Sequence, residues 1–438
     1  MLKRLSILVF VLFLLLIVSC DSSQQSEGGS SQSVNFTSID LSGAEGLFMK
    51  SSGGSRGLED LEEQDLLKIV GDEAQPVALR NESGSVVSFW GNPTSIIRLN
   101  DSYFVLTFKK TTTLQPPYVL VSVKEGIIIC LNHEGEYNHA CIEDAISTKF
   151  INAPEDGDYI YWVAPHMGAD NFLDGTSMKR YKKGTSGTIE IVKFTTDHQR
   201  YMLAVGKTSQ GKDVGMMYST NFTYGDAEGN SPEELHYIGY IMVDGEEERS
   251  FDFGEKIEFS FFFNDKFYLL YPNGLKSVDL DGNISESPVF SDADIKYCTD
   301  YVEVDDTCLL YDKKQHVNKA YLIKDDGSGG ISVMELAAGL DHISEVQAGD
   351  GCYYFCGDCG DSTVLKSFST TGGFSVISNT SDFVVSSFYK ENDYSFVFIG
   401  KDASDKSVWG QIDEMHGFHQ LESSTEEYSC LTRITQDE

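Results

Sequence analysis

Ile257-Glu-Phe-Ser-Phe-Phe-Phe263, Asn264-Asp265-Lys266, Phe267-Tyr-Leu-Leu-Tyr271, Pro272-Asn273-Gly274, Leu275-Lys-Ser-Val-Asp-Leu280, Asp281-Gly282-Asn283 and Ile284-Ser-Glu-Ser-Pro-Val-Phe290 follow one another without a gap. Four largely apolar runs of five to seven residues alternate with three clusters of Asn, Asp, Lys, Pro and Gly. Runs this short, rich in aromatic and β-branched residues and bounded by turn formers, read as strands joined by tight turns. An amphipathic helix would need a longer run with a 3.6-residue period, and such periodicity is scarce anywhere in the chain.

The turn that opens the second run recurs. Asp, two residues, then an aromatic or leucine is found at Asp101-Ser-Tyr-Phe104, Asp156-Gly-Asp-Tyr159, Asp265-Lys-Phe-Tyr268, Asp306-Thr-Cys-Leu309, Asp350-Gly-Cys-Tyr353 and Asp393-Tyr-Ser-Phe396. The intervals are 55, 109, 41, 44 and 43 residues, and the long one holds two units if Asp197 and Tyr201 mark a degenerate copy. The unit from Val346 repeats the layout, with Cys352 to Cys356, Thr363 to Ser369 and Phe374 to Ile377 as runs and Gly372-Gly373 at the last turn.

A period of forty-odd residues holding four strands is the size of one propeller blade, so residues 40 to 435 resemble a β-propeller in architecture and repeat length. The resemblance is to the WD- and quinoprotein-type repeat layout and matches no specific family. Trp-Asp endings, Gly-His starts and kelch-type Gly-Gly signatures are missing, and the chain has only three Trp. The expected fold class is all-β, a propeller of four-stranded blades, eight favoured and seven as the alternative. Leu67-Lys-Ile-Val70 followed by Pro76-Val77 echoes Leu275-Lys-Ser-Val278 followed by Pro288-Val289, and Tyr428 to Thr435 offers one more strand. A last blade built from both termini would cover edges that a ring otherwise leaves unpaired.

At the N-terminus, Lys3 and Arg4 precede an uncharged apolar run from Leu5 to Val18, then Ser19 and Cys20. This pattern is that of an export signal, its core too short to span a bilayer comfortably. Ile17-Val-Ser-Cys20 resembles the lipobox of bacterial lipoproteins, which implies a signal peptide over residues 1–19 and lipidation of Cys20. The polar stretch Asp21 to Val34 then serves as a flexible tether, so residues 20–34 are lipidated Cys plus linker, with a reach of about 20 Å. A single propeller domain over residues 35–438 completes the expected organisation. The implied location is the bacterial cell envelope, lipid-anchored on an extracytoplasmic face.

The chain carries 33 Lys and Arg against 68 Asp and Glu, a formal charge of −35, spread rather than gathered in a tail. Such a surface repels phosphate backbones, so nucleic acid is excluded as an expected partner. With Cys20 set aside, the remaining cysteines of an exported chain suit disulfides. Cys130 and Cys141 would face each other across a hairpin turning at Gly135-Glu136, and Cys356 and Cys359 form a second candidate staple. His133 and His139 lie between the first two and form a weak zinc candidate, since a disulfide would remove both thiolates. No metal or other cofactor is expected.

Other motifs carry little chemistry. Cys356-Gly-Asp-Cys359 has thioredoxin spacing but no helix after it. Gly53-Gly-Ser55-Arg-Gly57 matches a nucleophile elbow in letters only. Asp279-Leu-Asp-Gly-Asn283 lacks the Glu of a calcium loop, and Glu414, His416 and His419 sit at a turn. The segments Asn221 to Glu234 and Asn171 to Lys183 are expected as long loops, where recognition tends to reside. The sequence thus reads as a monomeric, membrane-tethered, non-catalytic scaffold binding an envelope protein or glycan through loops. The alternative is a propeller hydrolase or lyase acting on extracellular polysaccharide or peptide, its acidic residues gathered in the channel.

Overall fold

A computed structural model describes residues 36–434 apart from 52–63, 82–85, 88–92, 101, 109–117, 125, 131–148, 151–156, 168–172, 184–189, 196–202, 225–231, 286–288, 315, 393–394, 414 and 416. The described chain is all-β, in antiparallel sheets. Sheet 1 contains Pro93–Arg98, Tyr103–Phe108, Tyr118–Ser122 and Ile127–Cys130, extended by Phe36–Asp40, Ala78–Asn81 and Val86–Val87. Sheet 2 is Lys149–Phe150, Tyr159–Met167, Leu173–Lys182 and Glu190–Thr195; sheet 3 is Leu203–Lys207, Asp213–Tyr224, Pro232–Val243 and Glu246–Asp252. Sheet 4 comprises Phe259–Phe263, Lys266–Tyr271 and Gly274–Val278, and sheet 5 Asp300–Val304, Thr307–Tyr311, Ala320–Asp325 and Ile331–Leu336. Sheet 6 runs His342–Gly349, Cys352–Cys359, Ser362–Ser369, Gly373–Thr380, and sheet 7 Phe383–Lys390, Ser395–Asp402, Ser407–Asp413, Gly417–Ser424. Sheet 8 joins the two ends of the domain: Glu427–Arg433 pairs with Gly46–Ser51, which continues to Gln64–Val70 and Glu73–Pro76.

The strands begin where the apolar runs predict. In sheet 4 the fourth run is reduced to single bridges, Leu275 with Phe290 and Val278 with Ile284. The first turn of sheet 4 holds Asn264 and Asp265 at φ 49° and 58°. Both central residues are thus left-handed, the geometry of the favoured two-residue hairpin turn, and Asn, Asp and Gly tolerate it best. Asp305 and Asp350 adopt the same conformation at the matching turns of sheets 5 and 6, at φ 51° and 50°. The Asp also ties neighbouring sheets. Asp265 accepts the backbone N–H of Ser209 at 2.7 Å and its hydroxyl as well, and Asp350 pairs with Lys390.

Hydrophobic clusters lie between successive sheets. Tyr353 and Phe355 pack on Leu309 and Tyr311 of sheet 5, while their alternates Tyr354 and Cys356 pack on Phe388, Phe396 and Phe398 of sheet 7. Comparable clusters join sheets 1 and 2, 2 and 3, 3 and 4, 4 and 5, and 7 and 8. Sheets 2 to 7 are therefore covered on both faces, which is why Thr307–Tyr311 is buried at every position rather than at alternate ones. Burying a side chain of this kind stabilises by about 1.5–3 kcal/mol, so the stacking of sheets holds the domain together.

Two expectations change, and a third, the degenerate copy at Asp197 and Tyr201, lies outside the described residues. The first turn of sheet 3 is Thr208 to Lys212, where Gly211 N–H donates to Thr208 O at 2.8 Å. Asn221 to Glu234 begins and ends as strand: Asp213–Tyr224 and Pro232–Val243 pair in one long hairpin with Asn221 opposite His236, and 225–231 lie outside the described residues. Residues 173–182 of the Asn171 to Lys183 segment are likewise a central strand of sheet 2. Polar residues in these paired long strands break the apolar pattern that marks strands in the sequence.

Candidate functional site

The edge strands of sheets 1 and 3 to 8, beginning at Pro93, Leu203, Phe259, Asp300, His342, Phe383 and Glu427, all contribute to the lining of one cavity of about 1010 Å³. Those of sheets 1, 6, 7 and 8 carry a bulge. In sheet 6, Ser344 is the extra residue between Ile343 and Glu345; in sheet 7, Ser386 is the extra residue between Val385 and Ser387. A bulge breaks the alternation, so Ile343 and Val346, three apart, both pack toward sheet 5. Glycine stands opposite each bulge: a Cβ on Gly357 would strike the carbonyl of His342, and one on Gly400 the carbonyl of Val384.

The bulge places Glu345 where three sheets meet. One carboxylate oxygen accepts Lys313 Nζ at 3.0 Å and the Tyr311 hydroxyl at 3.3 Å from sheet 5; the other accepts Ser387 Oγ at 3.4 Å from sheet 7. Asp300 lies across the same hydroxyl, 3.4 Å from Tyr311 Oη and 4.0 Å from Lys313 Nζ. Tyr311 can donate its single proton to only one of them at a time.

Burial pushes the Asp300 and Glu345 carboxyls above their ordinary range, with Lys313 pulling both back. Burial also works against the Lys313 ammonium, but the facing Glu345 and Asp300 outweigh it and hold its pKa above the usual lysine value. Glu345 keeps 9 % of its side chain exposed and Asp300 32 %, so the Asp300 carboxylate remains open to the cavity it lines. The group can bind a polar ligand and exchange protons with it. Asp300, Tyr311, Lys313, Glu345 and Ser387 were not singled out in the sequence; the available signal was the acidic residue and paired serines interrupting otherwise apolar first strands.

The sequence-derived candidates lie elsewhere. Cys20, Cys141, His133 and His139 fall outside the described residues. Cys130 ends its strand opposite Val119. Cys356 and Cys359 are free thiols on one continuous strand, the first buried and the second exposed. Residues three apart on a strand are about 10 Å apart, beyond the reach of a disulfide, so the expected staple is corrected. Cys298, Cys308, Cys352 and Cys430 are also free. His419 lies 3.7 Å from Asp413, with Glu414 and His416 outside the described residues. Among the described residues no group of three or more His, Cys, Asp or Glu is arranged for a metal. Asp279 accepts the backbone N–H groups of Asp281 and Asn283 at 3.0 and 2.9 Å, which makes the Asp-Gly-Asn segment a locked turn.

No protein-family model and no curated protein matches the chain. Among solved structures it is similar to acylaminoacyl peptidase from Pyrococcus horikoshii, with 12% identity and a TM-score of 0.43 over 76% of this chain and 54% of that one. The chain thus spans about half the length of that peptidase. It is also similar to the β-propeller domain of the Trilobed protease from Pyrococcus furiosus, with 13% identity and a TM-score of 0.41 over 76% of this chain and 97% of that one.

Proposed function

We propose that the chain is an exported, lipid-tethered eight-bladed β-propeller that binds an envelope protein or glycan without transforming it. The ring reading draws on the pairing of Glu427–Arg433 with Gly46–Ser51, and on the 3.9 Å approach of Cys430 in sheet 8 to Ser95 in sheet 1. Export and anchoring rest on the leader and Cys20. The observation that carries the binding role is the cavity reached by first strands of seven sheets, with charged and polar groups at its wall. A rigid concave site with a few convergent polar groups is the usual form of a binding site. This moves the expected contact from loops to the channel.

Hydrogen exchange on the mature chain tests the reading. Envelope-derived glycan and peptide fragments are expected to slow exchange at residues 343–348, 386–389 and 430–433, and Gln347→Trp to abolish that protection. Protection confined to other strands, with Gln347→Trp bound normally, would overturn it. Detergent-phase partitioning that is lost in Cys20→Ala tests the anchor.

A hydrolase or lyase is the second reading, favoured by one observation: two carboxyls with raised pKa share the Tyr311 hydroxyl. Pairs of shifted carboxyls can divide acid and base roles. Product accumulating from the same fragments, and abolished by both Glu345→Gln and Asp300→Asn, would replace the binding reading with this one.

A further inference from the structure

The charges around the cavity are sorted. Its basic groups Arg98, Lys207 and Arg433 come from sheets 1, 3 and 8. Asp300 and four further carboxylates come from sheet 5, and Glu345 from sheet 6. Among the described lining residues, the one base on the acidic side, Lys313, is already shared between Asp300 and Glu345. One ammonium between two carboxylates leaves a net negative charge there, and the pair shows what group the wall accepts. From the other sheets, the guanidinium groups of Arg98 and Arg433 offer forked donors that match a carboxylate.

Resting on the channel-binding reading above, we infer that the cavity takes a short peptide with free ends, its ammonium toward Asp300 and Glu345 and its carboxylate toward Arg433. A neutral glycan has no charge of its own to meet the net negative Asp300 and Glu345 side or Arg433. A cavity of about 1010 Å³ exceeds what a single amino acid fills, so several residues fit. Capture of terminal ammonium and carboxylate groups is a recurring mode of peptide recognition.

Calorimetry on the mature chain with di- to penta-alanine tests the inference. The probes are each peptide free, N-acetylated, C-amidated and doubly capped, with chitotriose as the neutral glycan. The tightest free peptide is expected to lose at least ten-fold in affinity on capping either end. Glu345→Gln should erase most of the penalty for acetylation, and Arg433→Gln most of the penalty for amidation, with melting temperatures confirming that both variants fold. Equal affinity for free and doubly capped peptides would overturn the inference. Chitotriose binding that Gln347→Trp abolishes, with no peptide bound, would overturn it while leaving the channel as the binding site. Silence from every probe together with unchanged exchange at 343–348 would overturn both.

Discussion

Lys313→Met removes the cation shared by the buried Glu345 and half-buried Asp300 carboxyls and leaves a side chain of similar length. Severing a fully buried ion pair costs about 3–5 kcal/mol, because a desolvated charge is left behind. Here Lys313 is 47 % and Asp300 32 % exposed on their side chains, so water screens part of that loss. At pH 8 the expected destabilisation is therefore about 1–3 kcal/mol. The pH dependence is more telling than the size. Asp300 and Glu345 are raised in the folded state, so the fold binds protons more tightly than the unfolded chain there. Their penalty is fully present above the raised values, declines as the pH falls through them, and is gone below the ordinary carboxylate range near 4. Without Lys313 both carboxyls rise further, and the relief begins at higher pH. Urea unfolding followed by tryptophan fluorescence suits the measurement, since Trp162 and Trp409 are fully buried. The urea midpoint of the variant should fall clearly below that of the parent at pH 8 and approach it at pH 5. An equal deficit at both pH values would refute the electrostatic account, as would no deficit at pH 8.

Asp265→Ala loses two bonds to Ser209 and places a Cβ residue without a local acceptor at φ 58°, so stability should drop by about 1–2 kcal/mol in thermal melts, and Asp265→Gly should recover part of it. Gly400→Ala meets the backbone carbonyl of Val384 and should cost about 1–3 kcal/mol in the same melts. Gly360→Ala serves as its control: the position is at φ 61° with no atom within 4 Å, so it should show only the milder cost of a left-handed alanine, about 1–2 kcal/mol. A thiol reagent followed by peptide mapping should modify exposed Cys359 first, while Cys298, Cys308 and Cys356 stay protected until unfolding, since burial encloses them and pushes their thiols up.

Strands were legible wherever the chain wrote them as continuous apolar runs between turn formers. The unit from Val346 matches sheet 6 nearly strand for strand, and Leu67 to Val70, Pro76 and Tyr428 to Arg433 meet in sheet 8. The reading failed where polar residues populate a paired strand, as in Thr220 to Thr223 opposite Glu234 to Tyr237. Cross-strand hydrogen bonds hold such a hairpin whatever its side chains, and composition is silent about them. Cys356 and Cys359 misled for a related reason. Their spacing suits a turn, but Tyr353 to Cys359 stays extended and sends the two thiols to different environments.

By itself the sequence determined an all-β chain of forty-odd-residue units, because strand length, turn chemistry and two-sided burial act over a few residues and leave their mark locally. It also determined the place of Asp265 and Asp350 in the first turns of sheets 4 and 6, where a left-handed backbone favours aspartate. Only the tertiary structure decided that Asp300, Tyr311, Lys313, Glu345 and Ser387, drawn from three sheets and spread over nearly ninety positions, share one wall of a cavity. Each of these residues is unremarkable among its neighbours in the chain. Their chemistry arises from proximity and desolvation, which depend on how sheets stack and where a single bulge turns a side chain.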